Sequence, residues 1–273
     1  MPTRDSAWPE GTPCWVDLQA DDTDAARDFY SRLLGWEIEP TSEEFGGYLM
    51  ASKGGKAAAG IGPKPQGSES MPSVWTTYLA ADSADAIADK VAGAGGTAMM
   101  PPFDVGPLGR MFVGVDPAGA AFGVWEAKEH IGAEIFNEDG AYCWNELHSQ
   151  DYAGSKDFFA AVFGYGFTEI GDGQNFVYST FALNGAGPEA AVGGVNDAAA
   201  MPDAPPMSYW LTWFQVGDAD AATAKAAELG GTVLSGPDFS AFGRMSIISG
   251  PQGELFGLID PTMTVQVEDV IVE

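Results

Sequence analysis

Basic residues are scarce in this sequence. Lys and Arg total 12 of 273 residues against 39 Asp and Glu, a formal net charge of -27. A surface that negative repels phosphate backbones and anionic headgroups, so neither nucleic acid nor a membrane is expected as a partner. Only 19% of residues are charged, so the imbalance comes from missing Lys and Arg rather than from an acidic tail. There are just two histidines and two cysteines, Cys14 and Cys143. Two thiols exclude a disulfide framework and a four-thiolate zinc site. No run approaches the ~18 apolar residues of a membrane-spanning helix, and the N-terminus lacks the apolar core of a signal peptide. Cytoplasmic localisation is the resulting expectation.

Hydrophobic residues (45%) and aromatics (12%) are plentiful, enough for packed cores and, at this length, for about two domains. The chain repeats itself. The segment PCWVDLQADDTDAARDFYSRLLGWEIE (13–39) matches AYCWNELHSQDYAGSKDFFAAVFGYGFTE (141–169). Residues 74–97 match 209–232, and 103–126 match 239–260. Pairing Tyr30 with Phe159, Asp82 with Asp218 and Arg110 with Arg244 gives offsets of about 129–136 residues, the signature of a tandem duplication. The boundary falls near the Gly- and acid-rich segment 127–140, which divides the chain into residues 1–130 and 131–273.

Each half divides again. A strand over Trp15–Gln19 leads to Asp21–Asp22 and a helix ending at Gly35, with Ala26, Phe29, Tyr30 and Leu33 on one helical stripe. A second strand, Thr76–Ala80, leads to Asp82 as helix cap and a helix ending at Gly93–Gly96, with Ile87 and Val91 inward. Short β-rich runs follow each helix, broken by turns such as Asp116-Pro117-Ala118-Gly119. The plan recurs from Trp144 and from Thr212, giving four strand–helix–strands units. The longest irregular stretches are Gly62–Met71 and Ala186–Met207, which serve either as lids or as surface connections.

Four such units, with "D…FY…LGW" after the first strand and "GR…DPAG…F" before the last, resemble the vicinal oxygen chelate superfamily of glyoxalases, bleomycin-resistance proteins and extradiol dioxygenases. The likeness covers about residues 11–127 and 140–262 and is nearest to two-domain actinobacterial members of the culture-filtrate-antigen type. It implies an α+β fold in which each half curls a mixed sheet into a cup with helices on the convex side. It also implies His or Glu ligands to a divalent metal at four cup positions. Transferred here, those positions fall on Trp15 and Trp144, on Thr76 and Thr212, on Gly123 and Gly257, and near Gly60–Gly62 and Val192–Val195, where Glu189 is the only neighbouring acid. Indole and glycine do not ligate zinc or iron and a lone Thr is a poor ligand. The expectation is therefore no metal and no cofactor.

Strand alternation puts residues i, i+2 and i+4 on one face. It turns Trp15, Asp17 and Gln19 into the first cup, with Thr76, Tyr78, Ala80 and Trp125. It turns Trp144, Glu146 and His148 into the second, with Thr212, Phe214, Val216 and Ile259. Aromatic walls around one carboxylate and a hydroxyl suit a small hydrophobic or aromatic ligand; equally, Trp15 and Trp144 could plug the cups as core. Arg110 and Arg244 recur in Gly-Arg-Met and are expected to pair with carboxylates. Cys14 and Cys143 are expected to point toward the helices as small hydrophobes. Two functions follow. One is metal-free binding of a small molecule at Trp15, Asp17, Thr76, Tyr78, Trp125, Trp144, Glu146, His148, Thr212 and Phe214. The other is an enzyme of the superfamily (lyase, isomerase or hydroxylase-like), with His148, Glu146 and Asp17 as candidate acid–base groups. An interaction protein with filled cups is a third option. The expected partner is a small-molecule ligand, and the chain a monomer or homodimer.

Overall fold

The computed structural model describes residues 2–68, 70–170, 176–184, 186–201 and 204–265. The first half contributes β1 (Pro13–Ala20), α1 (Thr23–Leu34), β2 (Glu37–Pro40), β3 (Leu49–Lys53), β4 (Lys56–Pro63), β5 (Val74–Ala80), α2 (Ala84–Gly93), β6 (Thr97–Ala98), β7 (Phe103–Val105), β8 (Gly109–Val115) and β9 (Ala121–Ala127). The second half contributes β10 (Tyr142–Ser149), α3 (Tyr152–Phe163), β11 (Gly166–Glu169), β12 (Tyr178–Ala182), β13 (Ala191–Asp197), β14 (Tyr209–Gln215), α4 (Ala219–Glu228), β15 (Thr232–Ser240), β16 (Gly243–Ser249) and β17 (Leu255–Asp260). The strands form one sheet per half, ordered β2-β3-β4-β1-β5-β9-β8-β6, with β7 on β8, and β11-β12-β13-β10-β14-β17-β16-β15. This is the α+β tandem fold that the repeat implies. Among the described residues no helix is long and apolar enough to cross a membrane.

Local chemistry sets the helix ends. The Asp22 carboxylate accepts from Ala25 N to open α1, and Gly35, at φ 69°, closes it in the left-handed conformation that glycine tolerates. At α2 the cap is Ser83, whose hydroxyl accepts from Ala86 N, not Asp82. At α4 it is Asp218, which accepts from Ala221 N. Ser83 is therefore the counterpart of Asp218, and the pairing of Asp82 with Asp218 is one residue out. A strand, β13, also runs through the stretch Ala186–Met207 that the sequence suggested was irregular.

The sheet faces that carry Thr77, Asn145 and Thr212 are turned toward each other. At their centre Asn145 Oδ1 accepts from Thr77 Oγ1 of β5 (2.9 Å) and from Thr212 Oγ1 of β14 (3.0 Å). Around this contact α1 packs Phe29 and Tyr30 against Trp75 of its own sheet and Phe256 of the other. On the opposite flank α3 packs Phe158 and Phe159 against Phe122 of the first sheet and Trp210 of the second. The aromatic core is shared between the halves, and the cup faces point outward.

Candidate functional site: two outward-facing cups

Cross-strand register decides which side chains enter each cup, because directly paired residues share a face. In the first sheet Trp15 pairs with Tyr78, Asp17 with Thr76 and Gly60, Tyr78 with Gly123, and Ala80 with Trp125. Trp15, Asp17, Thr76, Tyr78 and Trp125 therefore come together on one face, as alternation suggested. In the second sheet Trp144 pairs with Trp213, Glu146 with Leu211 and Gly194, and His148 with Tyr209 and Asn196. Trp144, Glu146 and His148 share the cup face with Ile259, which lies in the same cluster as Trp213.

Thr212 and Phe214 do not share that face. Thr212 pairs with Asn145, and Phe214 sits among Trp36, Trp75 and Phe256 in the layer between the sheets. The one-residue error at the α2 cap explains the miss, since a slip of one position moves every side chain of a strand to the other face. The residues that enter the second cup at these places are Leu211 and Trp213. Cys143 also departs from expectation: at the irregularity between Tyr142 and Trp144 it packs with the Trp144–Trp213 cluster and its thiol donates to Trp213 O. Burial pushes its thiol up to about 12, and that of Cys14 well above the ordinary value, so neither is a nucleophile. Arg110 grips Asp85 and Arg244 grips Asp220 through paired guanidinium contacts, each clamping the first turn of a helix to the sheet.

The same polar chain recurs in both cups. Trp15 Nε1 donates to the Tyr48 hydroxyl (3.0 Å), which donates to Asp17 Oδ2 (3.3 Å); Tyr78 donates to the same oxygen (3.0 Å). Trp144 Nε1 donates to the Tyr178 hydroxyl (2.8 Å), which donates to Glu146 Oε2 (2.8 Å). Tyr48 and Tyr178 were missed in the sequence, although Tyr178 opens β12 and Tyr48 immediately precedes β3, the second strand after the first helix of each half.

The two carboxylates respond to burial in opposite ways. Burial raises Asp17 to about 7, against the opposing pull of the Tyr78 and Tyr48 hydroxyls. Burial acts upward on Glu146 too, but the hydrogen bond and charge of His148, with donors Tyr178 and Trp213, outweigh it and hold Glu146 below its ordinary value. His148 Nε2 lies 2.8 Å from Glu146 Oε1, and its ring stacks on Tyr209 at 4.8 Å with planes 11° apart. The first cup has Gln19 where the second has His148, so Asp17 has no imidazole beside it and burial outweighs its two hydroxyl donors.

The first cup nonetheless contains a histidine that the sequence did not single out. His130 lies in the inter-sheet connection, edge-on to Trp15 (4.6 Å) and beside Trp125 (5.5 Å), whose Nε1 donates to His130 O. Burial lowers His130 to about 4 despite Glu134. The connection is tied down by Ala133 N to Cys14 O and by Trp8 Nε1 to Ala133 O. A cleft of about 170 Å³ lined by Trp8, Ala80, Trp125 and Ile131 opens beside it. Lying outside the repeated blocks, His130 left no pattern to find.

Paired outward cups on a back-to-back tandem of mixed sheets define a two-domain protein of the vicinal-oxygen-chelate type. The chain belongs to the Glyoxalase/Bleomycin resistance protein/Dioxygenase superfamily, whose family model matches residues 14–124 and 145–258. It is 44% identical over 267 residues to CFP32 of Mycobacterium tuberculosis, which carries the name of a glyoxylase, covering 96% of this chain and 98% of that one. It is 34% identical over 263 residues to the anthracycline biosynthesis protein DnrV of Streptomyces peucetius, covering 92% and 93%. In fold it is similar to the Mn(II)-bound glyoxalase of Novosphingobium aromaticivorans (TM-score 0.61, 20% identity, 94% of this chain and 87% of that one). It is also similar to 2,2',3-trihydroxybiphenyl 1,2-dioxygenase of Sphingomonas wittichii (TM-score 0.62, 15% identity, 92% and 91%).

The side chains present do not fit a metal such as the Mn(II) of the Novosphingobium glyoxalase. A Cβ on Gly123 would meet the Tyr78 ring at 2.1 Å, and one on Gly257 the Trp213 ring at 2.0 Å. A Cβ on Gly60 would meet the Tyr48 hydroxyl at 1.7 Å, and one on Gly194 that of Tyr178 at 1.9 Å. Aromatic rings thus occupy the volume where ligating side chains would stand. The nearest donors in the second cup, Glu146 and His148, are bonded to each other. Among the described residues no three His, Cys, Asp or Glu side chains cluster for a metal ion.

Proposed function

We propose that this protein binds a flat, largely apolar small molecule in its aromatic-lined cups without a metal ion. The observation that carries the reading is the set of buried polar atoms left unpaired there. Asp17 Oδ1 and His130 Nε2 on the first cup, and His148 Nδ1 on the second, are buried and have no hydrogen-bond partner. Such groups cost stability unless something satisfies them, and the polar groups of a bound ligand would do so. Their surroundings are Trp15, Tyr78 and Trp125 in one cup and Trp144, Tyr209 and Trp213 in the other, the mixture of apolar walls and few polar groups typical of ligand sites. DnrV, by name a protein of anthracycline biosynthesis, supports a polycyclic aromatic as the ligand class.

The test is a titration of the purified protein with a neutral hydroxyanthraquinone, read by tryptophan quenching and equilibrium dialysis, before and after exhaustive chelation. Saturable binding that survives chelation is the expected result. Binding that disappears with the chelator and returns with a divalent cation overturns the metal-free reading, and absence of binding overturns the ligand.

A further inference from the structure

Beyond the cups, we propose a further binding site, for a small organic ammonium ion, in the cleft at the rim of the first cup. The cleft holds about 170 Å³ and is lined by Trp8, Ala80, Asp82, Trp125, Glu126 and Ile131. That volume is comparable to a cavity of about 150 Å³ that takes up benzene. Its walls come from the N-terminal arm, the ends of β5 and β9, and the connection between the halves. Trp8 Nε1 donates to Ala133 O (3.1 Å) and Gly11 N to Ala80 O (2.8 Å), which ties the arm down. Trp125 Nε1 donates to His130 O (2.8 Å). Both indoles are therefore held in place by the protein itself.

The lining chemistry selects the ligand. Indole attracts cations more strongly than the other aromatic rings. Trp8 already does so within the chain, because the Arg4 guanidinium lies over its ring, 4.8 Å from the centroid. The two acids add negative charge, and the neighbouring cations are engaged elsewhere. Lys90 pairs with Glu10, and Arg110, which feels the Glu126 charge, is gripped by Asp85 and Asp104. Among the described residues no Lys or Arg forms an ion pair with Asp82 or Glu126. Glu126 Oε2 accepts from Ala84 N (2.9 Å), which fixes that carboxylate against the start of α2.

Other occupants fit less well. A hard divalent cation takes about six to eight oxygen ligands, and the carboxylates here come from Asp82 and Glu126 alone, among indoles and alkyl groups. An anion is repelled by the same two acids, and a neutral molecule makes no use of their charge. Nor is the cleft a by-product of the repeated plan. In the second half Ile259 and Asp260 take the places of Trp125 and Glu126, and Asp260 Oδ1 accepts from Thr262 N and Oγ1.

The experiment titrates the full chain with benzylammonium and with benzyl alcohol, which share a ring and differ in charge. Physiological ionic strength screens the overall negative field. Chemical shifts of the indole N–H groups follow the binding, and the Trp8 signal is identified by its loss in Trp8→Leu. The expected result is saturable binding of benzylammonium that moves the Trp8 signal and is at least about tenfold tighter than that of benzyl alcohol. Asp82→Asn combined with Glu126→Gln should bring the two affinities to within about twofold. Asp82 is exposed, and the Glu126→Gln side chain still accepts from Ala84 N, so the fold is kept. Equal affinities in the wild type, a preference that survives the double variant, or binding that leaves the Trp8 signal unmoved overturns the site. None of these outcomes touches the ligand reading of the cups, to which neither acid belongs.

Discussion

The ring of Tyr78 lies across Gly123, so close that a Cβ on the glycine would sit 2.1 Å from the ring; Trp213 and Gly257 repeat the arrangement in the second half at 2.0 Å. Each glycine is the cup-facing partner of its aromatic residue in a parallel strand pair, β5 with β9 and β14 with β17. The missing side chain and the large ring are two halves of one packing solution. Gly123→Ala and Gly257→Ala should each destabilise the protein by about 1–3 kcal/mol through overpacking. Combining Gly257→Ala with Trp213→Leu should recover part of that loss, a coupling readable in urea denaturation as a non-additive double-mutant cycle. Additive losses would refute the paired packing.

Asp17 ties stability to pH. Its carboxyl is raised to about 7 from an ordinary 3.8, chiefly by burial. The folded protein therefore holds a proton that the unfolded chain releases, and this contribution is complete below pH ~4 and lost as pH rises through ~7, on the order of 4 kcal/mol in all. Asp17→Asn should be more stable than the wild type at pH 8, with the gap shrinking toward pH 4. Thermal unfolding across that range checks the sign. A wild type whose advantage over the variant grows toward pH 8 would contradict it.

His130 works in the other direction. Its imidazole is lowered to about 4 from 6.5, mainly by burial, so the unfolded chain takes up a proton first. Its contribution is present above pH ~6.5 and lost as pH falls toward ~4. In that window the Asp17 and His130 slopes oppose each other and flatten the wild-type profile. His130→Phe should expose a stability that falls steadily as pH rises from 4 to 7, and Asp17→Asn one that climbs. Unchanged slopes in both variants would remove these two groups from the account.

Asn145 joins the halves at a point buried from water. Its Oδ1 accepts from Thr77 of the first sheet and Thr212 of the second, so Asn145→Ala orphans two buried hydroxyls. A loss of roughly 2–4 kcal/mol is expected. Thr77→Val and Thr212→Val in the Asn145→Ala background should then cost little, because the acceptor is already gone. Independent, additive losses would show that the three side chains do not act as a unit.

Much of this architecture was legible in one dimension. The duplicated blocks announced two equivalent halves, Asp22 and Gly35 marked the ends of the first helix, and period-two alternation from Trp15 and Trp144 brought Asp17, Glu146 and His148 onto the cup faces. These are short-range features: a cap acts within one turn and alternation within one strand. Thr212 and Phe214 were misplaced because facing depends on a register that a single residue inverts, and the cap that sets it was Ser83 rather than Asp82.

Composition and repeat settled from the sequence that the chain is acidic, poor in imidazole and built twice on one plan. Only the tertiary structure decided that rings stand over Gly60, Gly123, Gly194 and Gly257, that Tyr48 and Tyr178 reach the two acids, and that His130 enters the first cup from a connection with no repeat partner. It also decided that of two equivalent carboxylates Asp17 is raised by burial while Glu146, beside His148, is lowered. Those outcomes depend on which atoms meet across distant strands, and on how much water is left between them, which neither periodicity nor composition encodes.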